Sequence, residues 1–181
     1  MEINNKPKDI SFNAIPLKYL SKVISEDGTR IAHQLAEEDN LPKCWISSEV
    51  LLLNNLQGKT VAAILLAKNK LPQEYMTSDI LKLPTLFSSY SGNTIAHYLT
   101  RYKYNELPEK YMSEEILCLR NNELTTPAHN LAANGNLPKK FQTQKILELE
   151  NIFGISVKEK LNMHAISHPG FGEKINKFLR I

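Results

Sequence analysis

The sequence has little of what marks a secreted, membrane-bound or motif-driven catalytic protein. Its 181 residues hold two cysteines, one tryptophan and seven glycines. Cys44 and Cys118 fall at different places within the repeat described below, so no disulfide framework is expected and a reducing compartment is the simplest setting. No stretch is apolar over the roughly 20 residues that a membrane-spanning helix needs. Met1-Glu2-Ile3-Asn4-Asn5-Lys6 lacks the apolar core of a signal peptide. A cytoplasmic location is expected, with delivery into a host cell as a second destination that a C-terminal secretion signal would leave open. Also missing are a glycine-rich phosphate loop, a Gly-x-Ser-x-Gly elbow and a paired-cysteine zinc pattern. The expectation is therefore a protein that is not an enzyme and carries no cofactor or metal.

Charge of one sign is scarce as well. The net charge is +3, too small by itself to hold a nucleic acid or an anionic membrane. From Phe153 to Ile181, Lys158, Lys160, Lys174, Lys177 and Arg180 outnumber Glu159 and Glu173 by three, which equals the whole excess. A solvated terminal helix accounts for that bias. An apolar content of 42% suits one globular domain with a sizeable core.

What the sequence does have is a phrase repeated four times. Gly28-Thr29-Arg30-Ile31-Ala32-His33-Gln34-Leu35-Ala36 returns as Gly58-Lys59-Thr60-Val61-Ala62-Ala63-Ile64-Leu65-Leu66. It returns again as Gly92-Asn93-Thr94-Ile95-Ala96-His97-Tyr98-Leu99-Thr100 and Leu124-Thr125-Thr126-Pro127-Ala128-His129-Asn130-Leu131-Ala132. A second phrase follows each time: Leu-Pro at 41, 71, 107 and 137, an aromatic (Trp45, Tyr75, Tyr111, Phe141), then an aliphatic pair (Val50-Leu51, Ile80-Leu81, Ile116-Leu117, Ile146-Leu147). A fixed period of this size marks a stacked repeat architecture.

Each phrase reads as one short helix. Apolar or small residues recur at three- and four-residue spacing, as in Ile31, Leu35 and Ala32, Ala36, which gathers them on one face. Ser47, Thr77, Ser113 and Thr143 stand where a hydroxyl can accept from the free N–H groups of a helix start, and Glu49, Asp79 and Glu115 favour the positive end of the dipole. Leu-Pro separates the two helices. A single hairpin of this kind cannot bury its own apolar face, so the units must stack. Ile15-Pro16, Tyr19 and Val23-Ile24 read as a half unit capping one end. At the other end, Lys158 and Glu159 replace Ala and His after Gly154. The fold class expected is all-α, a solenoid of stacked helix hairpins: a capping half unit over 1–25, about four repeats over 26–157, and a helical cap over 158–181.

Thr126-Pro127-Ala128-His129-Asn130-Leu131-Ala132 resembles the Thr-Pro-Leu-His-x-Ala opening of ankyrin repeats, and Thr94-Ile95-Ala96-His97 and Ile31-Ala32-His33 are looser copies. The resemblance covers roughly residues 26 to 157 and is to the divergent ankyrin-like repeats of bacterial, phage and host-directed effector proteins. It implies a scaffold that binds a protein partner, with His33, His97 and His129 holding successive units together rather than performing chemistry.

Candidate binding residues come from the places where the period breaks. One is the loop Pro84-Thr85-Leu86-Phe87-Ser88-Ser89-Tyr90-Ser91; the other is a two-residue expansion within Arg101-Tyr102-Lys103-Tyr104-Asn105-Glu106. Tyrosine and arginine dominate interface hot spots, so Phe87, Tyr90, Tyr98, Arg101, Tyr102 and Tyr104 form the expected partner-binding patch. Packing of these tyrosines over a loop is the alternative. Gln34, Glu37, Glu38, Lys68 and Asn130 are further candidates on a helical face. His164 and His168, four apart, have a metal-site spacing, but Pro169 follows and no Glu completes a protease motif. The expected partner is a protein of unspecified identity, possible roles including an effector or inhibitor that occludes a host process. Nucleic acid is not expected, no membrane span is expected, and the chain alone is expected to be a monomer. A nucleic-acid-binding helical repeat and a metal-dependent enzyme are the alternatives.

Overall fold

The computed structural model describes residues 17–86, 91–101 and 107–167. Among the described residues there are ten α-helices and no strand or sheet. They are α1 (Leu17–Leu20), α2 (Ile31–Glu37), α3 (Ser48–Leu51), α4 (Val61–Ala67), α5 (Ser78–Lys82), α6 (Ile95–Arg101), α7 (Glu114–Leu117), α8 (Pro127–Ala133), α9 (Gln144–Leu147) and α10 (Val157–Ser167).

The unit written in the sequence is visible element by element. A tight turn leads into a seven-residue helix, α2, α4, α6 or α8. Pro42, Pro72, Pro108 and Pro138 then open single 3₁₀ turns that end on Trp45, Tyr75, Tyr111 and Phe141, and the proline carbonyl accepts the aromatic residue's N–H at 2.9–3.2 Å. The hydroxyls of Ser47, Thr77, Ser113 and Thr143 cap the short second helices, accepting from the N–H groups of Val50, Ile80, Ile116 and Ile146. After α2, α4 and α8 the chain turns through left-handed residues Asp39, Asn69 and Gly135. The next N–H reaches back to Leu35, Leu65 and Leu131 at 2.8 Å, so one stop signal recurs with three different residues.

Neighbouring units pack side by side. First helices approach closely in the pairs α2 with α4, α6 with α8, and α8 with α10, while α5 lies against both α6 and α7. Ion pairs join one unit to the next: Lys59–Glu37, Lys68 and Lys70 with Asp39, Lys82–Glu115, Lys140–Glu109 and Lys145–Glu114. These pairs are exposed and contribute little each, so register is set mainly by the buried side. There, the buried apolar residues from Leu20 to Ile116 form one body and those from Leu117 to Val157 a second, with half-buried Met112 against both.

The N-terminal half unit has a different register from the one its sequence suggests. The Ile31 N–H bonds the Lys22 carbonyl just as the Val61 N–H bonds that of Leu53, which aligns α1 with α3 and Leu20 with Leu51. Leu20 is the buried residue at 2% exposure, whereas Val23 pairs with Arg30 in the turn and Val23 and Ile24 are nearly half exposed. Tyr19 is also exposed and has no place in the aromatic series. Ile24 stands four residues before Gly28 but Leu51 stands seven before Gly58, and four leave no room for the turn that the other units make.

Gly92 has φ +66, and a Cβ there would meet the Asn122 side chain and lie 3.0 Å from the Asn122 nitrogen. Gly154 has a similar φ of +69 with nothing within 4 Å. Gly154→Ala should therefore cost only the left-handed backbone penalty, about 1–2 kcal/mol. Gly92→Ala should cost at least about 1 kcal/mol more from overpacking, a difference that urea denaturation of the two variants resolves.

Candidate functional site

The repeated histidines are built into the ends of their helices. Each occupies the third helical position, where its Nδ1 accepts the backbone N–H of the residue before the helix: Arg30 to His33 at 3.3 Å, Thr94 to His97 at 3.2 Å, Thr126 to His129 at 3.2 Å. The opposite nitrogen, Nε2, lies against a carbonyl in the next unit's turn, that of Lys59 at 2.9 Å, Thr125 at 3.0 Å and Ile155 at 3.2 Å. A backbone N–H can only donate and a carbonyl can only accept, so the ring must be neutral with its proton on Nε2. All three side chains are buried. Burial, the largest cause in each case, lowers the pKa of His33, His97 and His129.

Where the second unit has Ala63, no such link runs to the third; Thr60 caps Ala63 locally at 3.1 Å. Where the last helix has Glu159 instead, its carboxylate accepts the Ser156 N–H at 2.7 Å while the Ser156 hydroxyl accepts from the Glu159 N–H at 3.2 Å. That is a capping box closed upon itself. The Ser156 backbone bond, first among its causes, lowers the Glu159 pKa.

A second recurring device is not apparent from the phrases alone. Asn55, Asn121 and Asn151 are nearly buried, and each Oδ1 accepts two backbone N–H groups of its own turn at 2.9–3.1 Å. The signal available was an asparagine three residues before the left-handed position at Gly58, Leu124 and Gly154. Adjacent turns are then joined by backbone: the Leu56 N–H to Asp27, Asn122 to Ser91 and Ile152 to Glu123, at 2.9–3.0 Å.

Of the expected patch, Phe87, Tyr90, Tyr102 and Tyr104 lie outside the described residues. Tyr98 is half-buried and packs against the core from α6, and Arg101 ends α6 in an exposed position. Their shared helix places the two one turn apart. Asn130 is structural: its amide donates to the His97 carbonyl at 3.2 Å and to the Thr100 hydroxyl at 3.3 Å. Gln34 donates to Glu38, Glu37 pairs with Lys59, and Lys68 pairs with Asp39. His164 donates from Nδ1 to the Ala133 carbonyl at 3.2 Å and lies over Gly135, docking α10 onto α8; His168 is outside the described residues. The aromatics Trp45, Tyr75 and Tyr111 pack against the first apolar body and Phe141 against the second. The Tyr75 hydroxyl donates to the Ile46 carbonyl of the preceding unit at 2.8 Å. Cys44 and Cys118 are free thiols, and burial raises the pKa of Cys118. No helix among the described residues is long and apolar enough to cross a membrane.

No protein-family model, curated protein or solved structure matches this chain.

Asn151→Ala leaves two turn N–H groups without their acceptor and should cost about 1–3 kcal/mol. Glu123→Ala, at an exposed position in the preceding turn, should stay within about 0.5 kcal/mol. Thermal and chemical denaturation of the pair checks the contrast.

Proposed function

We propose that this chain is a non-catalytic scaffold, a solenoid of divergent ankyrin-like repeats that acts by binding, and so blocking or tethering, a partner protein. The observation that carries this reading is the direction of the repeated side chains. His33, His97 and His129 spend both ring nitrogens on backbone groups, one in their own unit and one in the next. Residues so committed serve a stack, and a stack offers function through its surface. An ankyrin-like scaffold in the cytoplasm, or inside a host cell as an effector or inhibitor, is the setting that fits.

The third unit is the proposed binding surface. Its first helix carries exposed Arg101, and both departures from the repeat period flank it, so the chain there serves something besides the stack. Arg101 combines charge, five donors and a flat apolar face, the chemistry favoured at the centre of protein interfaces. Tyr98, half-buried, supports that surface from beneath rather than forming its tip.

The test is capture of proteins from a lysate on wild-type chain and on an Arg101→Ala/Tyr102→Ala/Tyr104→Ala variant whose helical content is unchanged. A protein retained by the wild type and reduced at least tenfold by the variant is the expected outcome. Equal retention would place binding elsewhere, and recovery of nucleic acid alone, released by salt, would overturn the scaffold reading in favour of a nucleic-acid-binding repeat.

A further inference from the structure

The junction between the third and fourth units differs from its neighbours. Across the first-to-second junction, Ala32 and Ala36 of α2 share one apolar body with Val61, Ala62 and Leu65 of α4. Across the junction of the fourth unit with α10, Ala128, Leu131 and Ala132 of α8 share another with Val157. Between α6 and α8 the apolar bodies part: Ile95, Ala96 and Leu99 belong to the first and the α8 residues to the second. What joins these two helices is polar. Asn130 bonds the His97 carbonyl and Thr100, the Asn134 amide donates to the Thr100 carbonyl at 3.2 Å, and the Asn121 amide donates to Asn93 Oδ1 at 2.9 Å. His97 Nε2 completes the set on the Thr125 carbonyl.

The opposite side of this junction is apolar and ionic. Leu117 of α7 shares the second apolar body with Ile146 of α9, and Lys145–Glu114 and Lys140–Glu109 bridge the surface. The first-helix side can therefore part while the second-helix side stays packed.

We propose that the junction between the third and fourth units is an acid-operated joint, closed on its first-helix side by neutral His97 and released when that ring takes a second proton. The added proton must go to Nδ1, which already faces the Thr94 N–H and the Thr94 hydroxyl at 2.9 Å. The Thr94 hydroxyl can turn to accept that proton, but the Thr94 backbone N–H then faces an N–H and loses its acceptor in a buried site, so the closed joint holds the charged ring less well than the open one, where the ring reaches water.

Among the described residues, the charged groups on the elements around the ring are Asp79 and Lys82 on α5, Arg101 on α6, Glu114 and Glu115 on α7, and Arg120 and Glu123 around the fourth turn, and the influences on the ring's pKa are burial and carbonyls. Burial lowers it, and the carbonyls of Thr125 and Leu119 partly offset that. His33 differs in having Arg30, Lys59 and Glu37 acting on it, as His129 has Lys160 and Arg120.

With the closed-state value depressed and the open-state value near 6.5, closure is fully favoured above about pH 6.5. It weakens as pH falls toward the closed-state value, the open population rising up to about tenfold per pH unit.

Amide hydrogen exchange on the full chain from pH 7.5 to 5.0, corrected for intrinsic rates, reads this directly. The Asn122 N–H, which crosses the joint to Ser91, and the Thr94 N–H should lose tenfold or more protection on acidification. Leu56 and Ile152, the equivalent crossings at the apolar junctions, should lose less. In His97→Gln, which cannot titrate, the Asn122 protection should no longer depend on pH. If that variant does not fold, nitrogen NMR of the wild-type His97 ring decides: an Nε2–H tautomer titrating below 6.5 agrees, and a midpoint at or above 6.5 overturns the proposal. Loss of protection spread evenly over all three crossings, or unchanged pH dependence in His97→Gln, would also overturn it.

Discussion

Helices of seven and four residues have too few internal hydrogen bonds to persist alone, because forming the first turn fixes several residues for a single bond. Each unit here depends on being held by the next. At three junctions a bond that does so is made by a histidine, reaching from the third residue of the first helix to a carbonyl in the following turn. Because that side chain also closes the start of its own helix, local folding and stacking are tied to one ring: a helix that frays at its N-terminus loses its neighbour too.

The same position is filled in three ways along the chain, and the surrounding chemistry changes with it. Histidine links three junctions. Ala63 links none, and there α4 buries six of its seven residues, most of them within the first apolar body. Glu159 closes its own helix and faces solvent. The junctions are consequently not equivalent: apolar contact dominates at the first and last, while between α6 and α8 polar bonds replace it.

Much of the fold was legible because the sequence repeats itself. Ser47, Thr77, Ser113 and Thr143 were recognisable caps on chemistry alone, and the structure puts each hydroxyl on the N–H three residues on. The 3₁₀ turns were not legible, since Leu-Pro marks a helix boundary without saying that the next three residues wind tightly. The asparagine of the turns was not legible because it sits between the two phrases. Nor was the N-terminal register, because Val23-Ile24 imitates the aliphatic pair, and only the bond from Ile31 to Lys22 fixes which residues belong to the turn. The binding patch was the least legible. Hot spots are recognised by composition, and composition does not distinguish Tyr98, which helps to bury the core, from Arg101, which projects.

Glu159 has a consequence for how a chain like this can change length. The fourth unit carries a donor, His129, toward its successor and an acceptor, the Thr125 carbonyl, toward its predecessor, so a duplicated copy of it would find compatible chemistry on both sides. A copy placed after α10 would lack the side-chain link that His33, His97 and His129 make, because Glu159 is an acceptor already satisfied by Ser156. Growth of the array by duplication is therefore better accommodated at the fourth unit than after α10.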